Sequence, residues 1–300
     1  MRSLAEYIMR GRMQAILIAS TLALLSLILP PVSVVSSAAV ALVTLRRGAI
    51  EGLYVALYSS IAAGLLGFFV LGNYQFALIY VAVLWLPIWL IAVVLREGRN
   101  LTLAVEVAVL LGIVAVLGVY LYPSDPAVMW KTVLLRMVPA NAPVEDVQRT
   151  IDVLAHYMTG VVAAGSVFGL LFGLFLGRWW QAVLFNPGGF KQEYLTLSTH
   201  PRLVFGAIAV VVAALTTSGV ISELAWNISI PLFVLYTCIG TSVLHAFFAS
   251  IKLSRFAVPM LYITLFLIPH AILPVALLGL SDPWTNLRKK ISNQHTLKGE

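Results

Sequence analysis

The feature that most limits what this chain can fold into is a succession of apolar runs, none with more than one Asp, Glu, Lys or Arg. They cover residues 49–71, 74–95, 101–122, 203–221, 227–248 and 257–280. Two shorter runs, 13–29 and 32–45, are separated only by Pro30-Pro31, residues suited to the turn of a hairpin. Crossing a hydrocarbon core takes roughly 17–25 residues of helix. Lipid offers no partner to backbone N–H and C=O groups, so a span must be a helix or part of a closed barrel. The alternation of a barrel strand is missing from the sequence. The expected fold class is therefore all-α, a polytopic transmembrane helix bundle of about 8–9 membrane segments. Composition agrees: 61% of residues are hydrophobic and 10% charged, against about 25% charged in soluble domains.

The sixth segment is expected to begin at Asn141-Ala142-Pro143, with Glu145 and Asp146 in its first turn facing the helix dipole, and to run past His156 to Gly177. Hydropathy then divides the chain into a six-helix membrane core (1–180), a cytoplasmic loop (181–202), C-terminal membrane helices (203–280) and a basic tail (281–300). Residues 123–142 form a hydrophilic excursion.

Most of the 19 basic residues fall on one side of such an arrangement: Arg2, Arg10, Arg12, Arg46, Arg47, Arg96, Arg99, Arg178, Lys191, Arg202, Lys252 and Arg255. Basic loops stay cytoplasmic, so the expected location is the bacterial inner (cytoplasmic) membrane, multi-pass, with a cytoplasmic N-terminus. The net charge of +7 is read as contact with anionic lipid rather than nucleic acid. Nine full crossings would put Arg288, Lys289 and Lys290 outside, against that rule. Pro269 and Pro274 would suit a broken or re-entrant last segment, but nine crossings are the preferred count.

Four features stand out within the spans. Gly165, Gly169, Gly173 and Gly177 recur every four residues and share a helix face, serving either close helix packing or a sliding surface or ligand groove. Ala15, Ala19 and Ala23 form a similar face on the first helix, for packing or for docking another membrane subunit. Glu106 is an ionisable residue inside a span, which is a functional hypothesis by default. With Trp85, Trp89 and Tyr120 it makes the candidate ligand-binding set. Asn227 and Glu223 fall near predicted segment ends and are expected to be wet.

The fourth feature is the run Arg178, Trp179, Trp180, Gln181, followed by Asn186, Pro187, Gly188, Gly189, Phe190 and then Gln192, Glu193. Trp and Arg belong at the membrane interface. Asn-Pro and Gly-Gly demand special backbone geometry, either a fixed turn or a loop whose N–H groups hold an anion.

Nucleotide-loop, nucleophile-elbow and zinc-helix patterns are absent from the sequence, and no spacing of His or Cys suits a metal. No enzyme activity, cofactor or metal site is expected. The single cysteine, Cys238, lies in an apolar run as a packed thiol.

The block from Arg178 to Glu193, with the closing Gly279-Leu280-Ser281-Asp282-Pro283-Trp284 and a basic tail, resembles the uncharacterised YybS-like bacterial membrane proteins. That family is grouped distantly with the substrate-binding (S) components of energy-coupling-factor transporters. The resemblance implies that the first six segments form an S-component-like core and that Ala15, Ala19 and Ala23 dock a membrane coupling subunit. Three further runs follow that such components lack. It also implies uptake of a small molecule, such as a vitamin or precursor, with separate ATP-binding cassette proteins. The alternative is a membrane scaffold or assembly factor that recruits a cytoplasmic partner through residues 178–202 and transports nothing.

Overall fold

The computed structural model describes residues 1–72, 75–122, 125–139, 144–285 and 287, except for the side chains of residues 70, 71 and 144–146. The predicted helix start at Asn141-Ala142-Pro143, the side chains of Glu145 and Asp146, and the tail residues Arg288, Lys289 and Lys290 lie outside the described residues.

The described residues are all-α. In chain order the helices are α1 (Arg2–Arg10), α2 (Arg12–Leu25), α3 (Val32–Arg47), α4 (Ala49–Leu71), α5 (Gln75–Gly98), α6 (Leu101–Tyr120) and α7 (Pro126–Met137). They continue with α8 (Val144–Ala155), α9 (Met158–Phe185), α10 (Gly189–Leu195), α11 (Pro201–Thr216), α12 (Gly219–Ser250), α13 (Ser254–Leu267) and α14 (Ile272–Thr285). Helices α4, α5, α6, α9 and α12 are long and apolar enough to cross a membrane, and α2 and α11 are shorter apolar helices. The chain is thus a multi-pass membrane protein whose apolar helices contact the lipid bilayer.

Two expectations are corrected. Residues 257–280 are not one straight span: α13 and the following segment Pro269–Thr285 meet at a bend of 120°. Pro269, which has no backbone N–H to donate, opens the new segment. The segment leading to Gly177 is two helices, because the chain breaks between Ala155 and Met158. The hydrophilic excursion holds α7, whose N-cap Asp125 accepts a hydrogen bond from Ala127 N–H at 2.9 Å. Within α5, Val81–Trp85 forms a π turn just ahead of Pro87, where the missing N–H disturbs the ladder.

The chain forms two compact units. Unit 1 comprises Met1–Ala108 and Ser166–Tyr194, and unit 2 comprises Val109–Gly165 and Leu195–Glu300. Compactness therefore divides the chain at other points than hydropathy, which suggested 180, 202 and 280.

Unit 1 is built around α3, in which every residue from Ser36 to Leu45 is buried. Its small side chains let neighbours come close. A Cβ added at Gly177 would lie 2.8 Å from Ala41 Cβ and 3.0 Å from Ala38 O, and one at Gly173 would collide with Ser37 Oγ. Nothing described lies within 4 Å of such an atom at Gly165 or Gly169. The glycine stripe is therefore a close-packing surface only in its second half. Helix α2 packs against α3 and α4, and Ser36 Oγ donates to Ala19 O at 2.7 Å. Ala15, Ala19 and Ala23 are fully buried. The face that the resemblance offers to a coupling subunit is covered by this chain's own helices.

In unit 2, α12 packs against α11 and α14. A Cβ at Gly240 would collide with Val275 O, and one at Gly279 with Tyr236 O, so both glycines are required where α12 and α14 touch. Lys131 on α7 and Asp152 on α8 form an ion pair at 2.6 Å.

Candidate functional site

The break between α8 and α9 leaves unpaired backbone groups at both helix ends. Neither proline nor glycine forces the break, since the residues there are His156 and Tyr157. It is closed from another helix. Asn227 on α12 accepts a hydrogen bond from Gly160 N–H through Oδ1 at 2.6 Å. Its Nδ2 lies 2.6 Å from His156 O, 2.8 Å from Glu223 O and 3.1 Å from the Tyr120 hydroxyl. Gly160 is the third residue of α9, so its N–H is an orphan donor that a side chain from elsewhere now caps. A Cβ at Gly160 would lie 2.6 Å from Asn227 O, so only glycine allows this approach. Asn227 is fully buried. The expectation that it is wet is corrected: a buried amide must be paired, and here both of its ends are.

Around Asn227 sits an ionisable group. Glu223 Oε1 accepts from the Tyr120 hydroxyl at 2.6 Å, and Glu223 Oε2 lies 2.7 Å from His156 Nδ1. The Glu223 side chain is 18% exposed and that of His156 53%. Tyr120 ends α6, His156 lies in the break, and Glu223 stands in the second turn of α12. The cluster therefore gathers three helix ends within unit 2 and keeps one side of its acid open.

The sequence-predicted ligand set is divided between the two units. Trp85 is fully buried and its Nε1 donates to Ser36 Oγ at 3.2 Å. Trp89 Nε1 donates to Ala49 O at 2.8 Å. Both belong to unit 1, as does the half-buried Glu106, whereas Tyr120 belongs to unit 2. Glu106 and Tyr120 are separated by roughly 21 Å along α6 at 1.5 Å per residue. Only Tyr120 joins the polar cluster.

The motif from Arg178 to Glu193 is assembled within unit 1. Arg178 Nε donates to Glu193 Oε2 at 2.9 Å and Nη2 to Oε1 at 2.5 Å, a fork on a carboxylate. The Arg178 side chain is 8% exposed and that of Glu193 34%. Gln181 Nε2 donates to Leu45 O at 3.2 Å, and Trp180 is fully buried while Trp179 is partly exposed. The segment foreseen as loop stays helical to Phe185 and resumes helix at Gly189. Between them the chain reverses at Asn186-Pro187-Gly188-Gly189, with Gly188 at φ +87°. Gly189 N–H bonds Asn186 O at 3.1 Å and Gln192 N–H bonds Gly188 O at 3.2 Å. Two of the N–H groups that could have faced an anion are used inside the turn. Phe190 packs its ring on Phe175 and Tyr194, with centroids 5.9 Å apart in both pairs.

Residues 193–283 match the family described as predicted membrane protein (DUF2232). No curated protein and no solved structure matches the chain. The matched segment contains Glu223 and Asn227 and leaves Tyr120 and His156 outside it. Sequence reasoning missed His156 as a site residue. The available signal was weak: a His far in sequence from a Glu and an Asn that stand four residues apart, each at the edge of an apolar run.

Proposed function

We propose that this chain binds a small polar solute, cationic or rich in hydrogen-bond donors, at the Tyr120–His156–Glu223–Asn227 cluster, as the solute-binding member of a membrane transport process. The observation that carries this reading is the part-exposed Glu223 carboxylate, held by two side chains beside a buried amide, in a protein with few charges. An acid maintained at the edge of apolar helices costs stability unless it serves a purpose. The protein resides in the cytoplasmic membrane with its N-terminus inside. The arginine-rich helix ends then face the cytoplasm.

Binding and release at such a site need no covalent chemistry, so the chain acts without being an enzyme. It lacks an ATP-binding loop, so ATP-driven uptake would draw on separate ATP-binding cassette proteins and a coupling subunit. The YybS-like resemblance and its distant link to S components favour that partnership. The buried alanine face means the coupling subunit would dock elsewhere.

The test is ligand-induced stabilisation of the full chain in lipid nanodiscs against a panel of small amines, amino acids and vitamin precursors. A saturable rise in melting temperature that disappears in Glu223→Gln is expected. The reading fails if a stabilising solute acts equally on wild type and Glu223→Gln, or if none stabilises either.

A second reading rests on the clamp between Arg178 and Glu193. It holds an exposed turn, Phe185 to Gly188, in one shape, as a recruiting scaffold needs. Here Pro187→Ala with Gly188→Ala would abolish recovery of a stoichiometric cytoplasmic protein without changing solute stabilisation.

A further inference from the structure

One end of unit 1 holds an open cleft of 590 Å³ lined by Arg2, Arg10, Arg46 and Arg47, with Glu6 and Phe185 among its other walls. Four guanidinium groups thus face one carboxylate. Two of the four are already engaged: Arg2 Nε donates to Glu6 Oε1 at 2.9 Å, and Arg47 Nη2 donates to Met9 O at 2.5 Å. Among the described residues, Arg10 and Arg46 meet aromatic rings. The guanidinium carbon of Arg46 lies 4.1 Å from the Phe185 ring centre, and that of Arg10 lies 5.7 Å from the Tyr7 ring centre. Among the described residues neither forms an ion pair.

A stacked guanidinium keeps its edge N–H groups free for a planar or tetrahedral oxyanion. The cleft also has an apolar side. Helix α1 buries Ala5 and Ile8 and exposes Arg2, Glu6 and Arg10, and the Phe185 ring is partly exposed. A strongly amphipathic first helix is the pattern of a segment lying in the membrane interface.

From this combination we infer that the cleft is a binding site for the phosphate of an anionic phospholipid, held by Arg10 and Arg46, with its glycerol and upper acyl atoms against Phe185. Basic pockets at helix ends are suited to this role, each arginine near an anionic surface contributing about 1 kcal/mol. The site is separate from the polar cluster and does not depend on a transported solute.

The test uses the full chain reconstituted in nanodiscs of phosphatidylcholine containing a minor share of phosphatidylglycerol, followed by gentle extraction and native mass spectrometry. Wild type should retain phosphatidylglycerol in preference to phosphatidylcholine. Arg10→Gln and Arg46→Gln should each lower that preference about fivefold, and Arg46→Lys should restore part of it. Circular dichroism of each variant confirms that the fold persists. Inorganic phosphate at millimolar concentration should fail to displace the lipid. Equal retention of the two lipids, unchanged preference in both glutamine variants, or full displacement by inorganic phosphate without lipid preference would overturn the inference, the last by assigning the cleft to a free phosphate.

Discussion

Two carboxylates in this protein are held in opposite ways. In unit 1, Glu193 receives the full fork of Arg178, whose side chain is almost wholly buried. In unit 2, Glu223 is shared between a phenol and an imidazole, and the imidazole is the most open member of the group. A guanidinium presents a rigid planar fork that matches a carboxylate, so the first pair has one geometry and fixes a chain reversal. Tyr120 and His156 can each give up the carboxylate to an incoming donor, because that donor replaces the bond of about 1.5–3 kcal/mol that a carboxylate makes with each of them. The Arg178 pair is thus suited to holding shape and the Glu223 group to exchanging partners. The fixed part of unit 2 is Asn227, which closes two helix ends with one amide.

The largest effect is expected at Asn227. Asn227→Leu would strand the Gly160 N–H and the His156 carbonyl in a buried place. The expected loss is about 2–4 kcal/mol, since each unpaired buried group costs about 1–3 kcal/mol. Denaturant titration in mixed micelles measures it, and a change below 1 kcal/mol would show that water or another side chain can take over the cap. Next comes Arg178→Ala, expected to cost about 1–3 kcal/mol: Glu193 is part-exposed and water can replace half of its partner. Arg178→Lys should recover only part of this, because a lysine cannot form the fork. If Arg178→Ala outranked Asn227→Leu, the contrast between a part-exposed clamp and a fully buried cap would be lost.

The sequence made the membrane class and the helical fold legible, because charge-poor runs of span length leave few other solutions. It also made the chain reversal at Asn186–Gly189 legible, since Asn-Pro and Gly-Gly announce one. It did not reveal that Arg178 and Glu193 pair, as they stand fifteen positions apart across a turn. The break at His156 was invisible for a physical reason. Local propensity there favours continuous helix, and the hydrogen bonds that stabilise the break come from Asn227, 71 residues away. The same holds for Ala15, Ala19 and Ala23: spacing shows a small-residue face but not whose helix covers it. Hydropathy also merged α13 and α14, because a bend between two apolar helices leaves the average unchanged.

Smaller effects separate holding from binding within the cluster. Glu223→Gln keeps an acceptor for one of the two donors, so stability should change by less than about 1 kcal/mol, while solute-induced stabilisation disappears. A large loss of stability in that variant would make Glu223 a second structural clamp and erase its difference from Glu193. The smallest effect belongs to α9, the helix that carries both Gly160 and Arg178. Gly169→Ala places a methyl where nothing described lies within 4 Å. The gain in helix propensity should then leave the protein unchanged or up to about 1 kcal/mol more stable. Gly177→Ala, pressed against Ala41, should instead destabilise it. Equal destabilisation by both would mean that the whole glycine face is in contact, with lipid or with another chain, and that close packing on α9 is not confined to its second half.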